Sequence, residues 1–158
     1  MSVPTNPRVQ QVIDAMRAAG AGGLTLPPPV FVAMQTDVQD YRPGDAETHV
    51  GATMVARFPL LDEHRNPMGH MQGGMIAAAV DNVIGPLSYL VAPPSATAQM
   101  AVTYLAPVTP DLAYVEVTAR LTHRGGRQLV FEATMTDPAG KTLAVANATQ
   151  TIVRRAPG

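Results

Sequence analysis

The chain has 158 residues, which suits one domain with a sizeable core. At 46% hydrophobic and only 15% charged, it is expected to cover some apolar surface with a partner subunit. A net charge of −1 argues against general attraction to nucleic acid or anionic membrane. The lack of cysteine excludes disulfides, thiolate nucleophiles and thiolate metal sites, and fits a cytoplasmic protein.

The first residues, MSVPTNPRVQQVIDAM, have no basic segment leading into an apolar run, so no signal peptide is expected there. Asn6-Pro7 reads as an N-cap followed by proline at the first helical position. Val9, Val12, Ile13 and Met16 then fall at helical spacing, which predicts a helix over 7–19 that stops at Gly20. The glycine- and proline-rich stretch 20–29 is a connector. Residues 1–29 are thus expected to form a helix and connector, and 30–158 a single domain.

Phe31–Asp40 and His49–Leu60 read as strands, and Leu61–Pro67 as a polar loop. An apolar helix follows Gly73-Gly74 and is expected to run to about Ile84. Pro86 deprives the Asn82 carbonyl of its helical donor, so a kink is expected nearby. The run Met75–Val91 is broken by Asp81, Asn82, Gly85 and Pro86, which makes it a poor membrane span. Period-two patterning then marks strands at Ala96–Ala106, Tyr114–Arg124, Gln128–Thr136 and Leu143–Val153. In the first of them Thr97, Gln99 and Thr103 are expected on one face and Met100, Val102 and Tyr104 on the other. Arg124-Gly-Gly-Arg127 and Asp137-Pro-Ala-Gly140 read as hairpin turns. An apolar helix against an antiparallel sheet is an α+β layout.

The chemistry gathers in NPMGHMQGGMIAAAVD, residues 66–81. Asp81 is the only Asp, Glu, Lys or Arg between Arg65 and Asp111. It is either a carboxylate satisfied by neighbouring hydroxyls or amides, or a base or nucleophile made more basic by apolar surroundings. The glycine pair either makes a tight turn or lets a ligand approach the free amides at the helix N-terminus, where a carbonyl oxygen gaining negative charge is stabilised. Eight residues of helix span about 12 Å, too far for Gly73 and Asp81 of one helix to act on one carbonyl. If both act, Asp81 comes from a second subunit related by a twofold axis.

Asn66, Gly69, Gln72, Gly73, Gly74 and Asp81, followed by four antiparallel strands, resemble the hotdog-fold acyl-CoA thioesterases of the phenylacetate-pathway type. Val102-Thr-Tyr-Leu-Ala-Pro107 and Arg124-Gly-Gly-Arg127 add to the resemblance, which covers about residues 30–154. It implies a hotdog domain, an antiparallel sheet wrapped around a central apolar helix, working without a cofactor as a homodimer or dimer of dimers. It implies hydrolysis of an acyl-CoA substrate, with Asp81 as nucleophile or base and the Gly73 N–H polarising the thioester carbonyl. Asn66 would lie near the water or thioester, with Gly74 beside the substrate. Gln72 stands where many members have histidine; glutamine cannot titrate but still donates a hydrogen bond. His70 is either a substitute for that histidine or an ordinary loop residue. Gln99 matches a polar residue reaching the partner's site, and Arg124 and Arg127 match positions near the phosphates of coenzyme A. Acyl-CoA binding without turnover is the alternative kept open by Gln72; a hydratase or dehydratase of the same fold ranks lower. His64 and His123 have no companions at metal-ligand spacing, so no metal is assigned.

Overall fold

The computed structural model describes residues 7–18 and 23–153. Helix α1, Pro7–Ala18, forms as expected, with Val12, Ile13 and Met16 buried. Asn6, Gly20 and the side chain of Val9 lie outside the described residues. The expected strand from Phe31 is instead a short helix, α2 (Pro29–Ala33), followed by strand β1 (Asp37–Arg42). A short apolar run is ambiguous between the two forms, and Pro29 at the first helical position favours the helix. Strand β2 is Thr53–Pro59, shorter than expected. His49 and Gly51 take positive φ, 60° and 89°, which no strand accommodates.

Helix α3, Gly73–Val91, continues past the expected end at Ile84 and carries Pro86 within it. Pro86, Leu87, Ser88 and Val91 are all buried, so tertiary packing outweighs the lost backbone bond. The Ser88 hydroxyl donates to the Gly85 carbonyl at 2.6 Å. By length and composition α3 matches a membrane-crossing helix, yet half of its apolar window is buried within the protein.

Strands β3 (Ser95–Tyr104), β4 (Tyr114–Gly125), β5 (Gln128–Thr136) and β6 (Thr142–Ile152) follow. They join β1 and β2 in a six-stranded antiparallel sheet ordered β1-β2-β4-β5-β6-β3. Both expected hairpin turns are present, with Gly126 and Gly140 at positive φ. The sheet lays α3 against β2 through β6. Phe58, Leu121, Phe131 and Met135 from the sheet and Ile84 and Leu87 from α3 are completely buried. Each such side chain contributes roughly 1.5–3 kcal/mol by leaving water.

One irregularity changes the reading of β3. The register to β6 shifts between Thr97 and Gln99, pairing Thr97 with Gln150 and Gln99 with Thr149. This bulge moves Thr97 onto the α3 face with Met100, Val102 and Tyr104, and leaves Gln99 and Thr103 on the outer face. The expectation that Thr97 and Gln99 share a face is therefore corrected.

Candidate active site

The loop entering α3 is fixed by its own backbone. Asn66 Oδ1 accepts from the amides of Met68 and His70, at 2.9 and 3.1 Å, and the Asn66 amide donates to the His70 carbonyl at 2.7 Å. The Met71 amide donates to Val108 and the Gln72 amide to His64. Such side-chain-to-backbone closure is characteristic of asparagine in turns.

Gln72 is the N-cap residue of α3, exposed, and its side chain makes no capping bond. Its carbonyl receives the amides of Met75 and Ile76, at 2.8 and 3.1 Å. The amides of Gly73 and Gly74 have no acceptor among the described residues, so the positive end of the helix keeps two donors available. Gly73 lines a cleft of about 340 Å³ together with Asn66, Met68, His70, Tyr104 and Pro107, among others, and Gly74 follows it at the rim. The Tyr104 hydroxyl donates to the Gly73 carbonyl at 2.8 Å. A Cβ on Gly73 would stand 3.4 Å from the Tyr104 ring, whereas one on Gly74 would meet nothing within 4 Å.

Asp81 projects from α3 two turns later and does not line this cleft. Its side chain is exposed, so the expected apolar surroundings are absent within one chain. The cause is its place on the flank of α3, beside the end strand of the sheet. There Thr97 Oγ1 donates to Asp81 Oδ1 at 3.0 Å, and buried Gln150 donates through Nε2 to Thr97 Oγ1 at 3.3 Å. Gln150 Oε1 in turn accepts from Ser95 Oγ at 2.6 Å. Thr97, Gln150 and Tyr104 thus join the candidate site through hydrogen bonds to which the sequence pattern assigns no partner. Gln150 follows Ala144, Ala146 and Ala148 in the buried row of β6, and a polar residue in that row was the available signal for it.

The structure groups Asn66, Gly73, Gly74 and Gln72 at one end of α3 and separates them from Asp81. Gln99 lies on the opposite sheet face from Asp81. Arg124 Nη1 donates to the Val91 carbonyl at 2.8 Å, capping the C-terminus of α3. Arg127 donates through Nε and Nη2 to the Ile152 carbonyl, at 3.2 and 2.9 Å. Each arginine keeps further N–H groups for another acceptor. His64 is buried, with Nδ1 lacking a partner among the described residues, and His123 is exposed. No group of three His, Asp or Glu among the described residues could hold a metal ion.

A single six-stranded sheet wrapped on one long helix, with free glycine amides at the helix start, defines a hotdog-fold protein. Residues 68–144, from the cleft loop through most of the sheet, match the family model of the Thioesterase superfamily. The matched stretch holds the loop, α3 and strands β3 to β5, just under half of the chain. The PaaI protein of the phenylacetic acid degradation operon of E. coli shares its fold with a TM-score of 0.74 at 14% identity, covering 94% of this chain and 96% of that one. A hypothetical thioesterase from Streptococcus pneumoniae with coenzyme A is similar at TM-score 0.66 and 18% identity, over 75% of this chain and 85% of that one. A Streptococcus mutans protein bound to acetyl-CoA is similar at TM-score 0.67 and 18% identity, over 84% of this chain and 94% of that one. No curated protein sequence matches at a significant level.

Proposed function

We propose that this protein hydrolyses an acyl-CoA thioester to free acid and coenzyme A, as a homodimer with composite sites. The observation that carries this reading is the uncapped pair of glycine amides at the start of α3, beside a cleft that Gly73 lines, within the stretch that matches the superfamily model. The thioester carbonyl oxygen accepts from these amides, which hold the negative charge it gains when the carbon is attacked. Asp81 takes a proton from the water that attacks that carbon, or attacks it directly to give a mixed anhydride that water then hydrolyses; on either route the coenzyme A thiolate leaves. Asn66 commits its Oδ1 to the loop and retains its NH₂ as a donor for the water or thioester. Arg124 and Arg127 retain donors for the coenzyme A phosphates.

The geometry of β3 supports the second subunit. The sheet has two end strands. β1 carries Asp37, Asp40, Arg42 and a bulge, features that discourage pairing with another chain. β3 runs for ten residues, SATAQMAVTY, with no charge and no proline, and most of it is exposed. An antiparallel copy related by a twofold axis at Ala101 would pair Met100 with the partner's Val102 and Gln99 with the partner's Thr103. Every pair then joins residues of the same face. The Ala98 bulge brings Thr97 opposite the partner's Tyr104, again on the α3 face. Thr97 holds Asp81 and Tyr104 holds Gly73, so this register carries Asp81 of one subunit towards Gly73 of the other.

Thiol release from a panel of acyl-CoAs tests the reading. Wild type is expected to turn over at least one of them, with Asp81→Asn slower by about 10²–10⁴-fold, the range for loss of a general base. Turnover unchanged in Asp81→Asn would sink the assignment. Saturable binding with no thiol release would instead make the protein an acyl-CoA binder, the role left open by glutamine at position 72.

A further inference from the structure

Tyr104 is the one cleft side chain that bonds directly to the peptide of the glycine pair. Its hydroxyl meets the Gly73 carbonyl at 2.8 Å, although its side chain is half exposed. A peptide unit is planar, with C=O and N–H pointing in opposite directions. The Gly73 carbonyl and the Gly74 N–H belong to one such unit, so whatever fixes the first aims the second. The peptide before it is aimed differently: the Gln72 carbonyl already receives the amides of Met75 and Ile76. Gly73 and Gly74 have no side chains to brace them, glycine is the least restrained residue, and helix ends fray. The first turn of α3 also lacks a side-chain cap. The Tyr104 bond is thus a tertiary constraint on a turn whose own sequence supplies little rigidity.

From this we infer that Tyr104 is a positioning residue, which sets the direction of the Gly74 N–H so that it joins the Gly73 N–H on the thioester oxyanion. The inference rests on the thioesterase reading above. Tyr104 touches no reacting atom; it acts through the peptide. An aimed donor stabilises charge that develops in the transition state more than it stabilises bound substrate. Loss of the hydroxyl therefore acts on kcat rather than KM.

Tyr104→Phe keeps the ring and removes only the donor. It is expected to lower kcat by about three- to tenfold, the worth of one hydrogen bond, with KM changed less than about twofold. The melting temperature is expected to stay the same, because the hydroxyl is at the surface. In ¹⁵N–¹H spectra of the free protein, the Gly74 amide resonance is expected to move, since its peptide loses a hydrogen bond at the carbonyl. Wild-type kcat in Tyr104→Phe, or an unmoved Gly74 resonance, overturns the inference. A wild type inactive on the whole acyl-CoA panel overturns the thioesterase reading and this inference with it. An active wild type matched by Tyr104→Phe overturns this inference alone.

Discussion

Thr97 donates its hydroxyl proton to Asp81 across the junction of β3 and α3, at 3.0 Å. The direction is set from behind. Gln150 Nε2 can only donate, so Thr97 Oγ1 accepts from it and has a single proton left, which goes to the carboxylate. Gln150 is itself buried and held by Ser95. The carboxylate thus rests on a chain of polar groups anchored in β6. Thr97→Val preserves shape and removes the donor. It is expected to lower kcat for thioester hydrolysis by about tenfold, the worth of a hydrogen bond to a charged group, with little change in melting temperature at this exposed position. An unchanged kcat would show that Asp81 is oriented without Thr97.

Asp45 gives a pH dependence remote from the site. Its Oδ1 accepts from the Thr48 amide at 2.8 Å, the Thr48 hydroxyl at 2.9 Å and the Glu47 amide at 3.0 Å. These bonds, the Thr48 amide first, hold its pKa below the ordinary value of 3.8. A lowered folded-state pKa means stability that is present above the unfolded value and lost as pH falls through the folded one. Asp45→Asn cannot titrate. Wild type is therefore expected to be the more stable above about pH 5, with the gap closing as the pH drops below about 4. Thermal unfolding of both proteins from pH 3 to pH 7 measures this, and a constant gap would refute it.

The sheet was legible because β4 and β5 alternate cleanly: Val115, Val117, Ala119 and Leu121 are all buried, as are Leu129, Phe131, Ala133 and Met135. The helix start was legible because glycines followed by an uninterrupted apolar run have few other readings. The strand expected from Phe31 failed because five apolar residues fit either period, and Pro29 decided for the helix. The end of α3 failed because a proline's local cost was weighed without the sheet that buries Leu87 and Val91. The face of Thr97 was misread because one extra residue in β3 inverts every side chain before it, and nothing in SATAQMAVTY announces a bulge. The Thr97–Asp81 bond was hidden for the same reason. Arg124 was read for its charge alone. Its carbonyl partner at Val91 is 33 residues away, and that contact depends on the fold.

That partner makes a separable prediction for Arg124. The guanidinium sits on the last carbonyl of α3, where a cation also complements the helix dipole. Arg124→Ala is expected to cost about 0.5–1 kcal/mol, or roughly 1–4 °C in melting temperature for a chain of this size. If Arg124 also meets the coenzyme A phosphates, the variant raises KM for acyl-CoA but not for the same acyl group on a thiol lacking the nucleotide. An equal KM change for both thioesters would confine Arg124 to capping α3.

The twofold register along β3 is the sharpest claim about assembly, and the absence of native cysteine makes it directly testable. If the axis passes through Ala101, this residue faces its own copy. Paired strand residues stand about 4.5–5.5 Å apart between Cα atoms, within reach of a disulfide. Ala101→Cys is therefore expected to form a covalent dimer under mild oxidation, seen as a doubled mass on a non-reducing gel and reversed by reductant. Thr103→Cys lies on the same outer face but pairs with the partner's Gln99. Its own copy would be about 13 Å away along the strands at 3.3 Å per residue, beyond disulfide reach. It should stay monomeric on the same gel. Cross-linking at position 103 but not at 101 would move the axis by two residues. Thr97 would then no longer face the partner's Tyr104, and the composite site of Asp81 and Gly73 would lose its geometric basis.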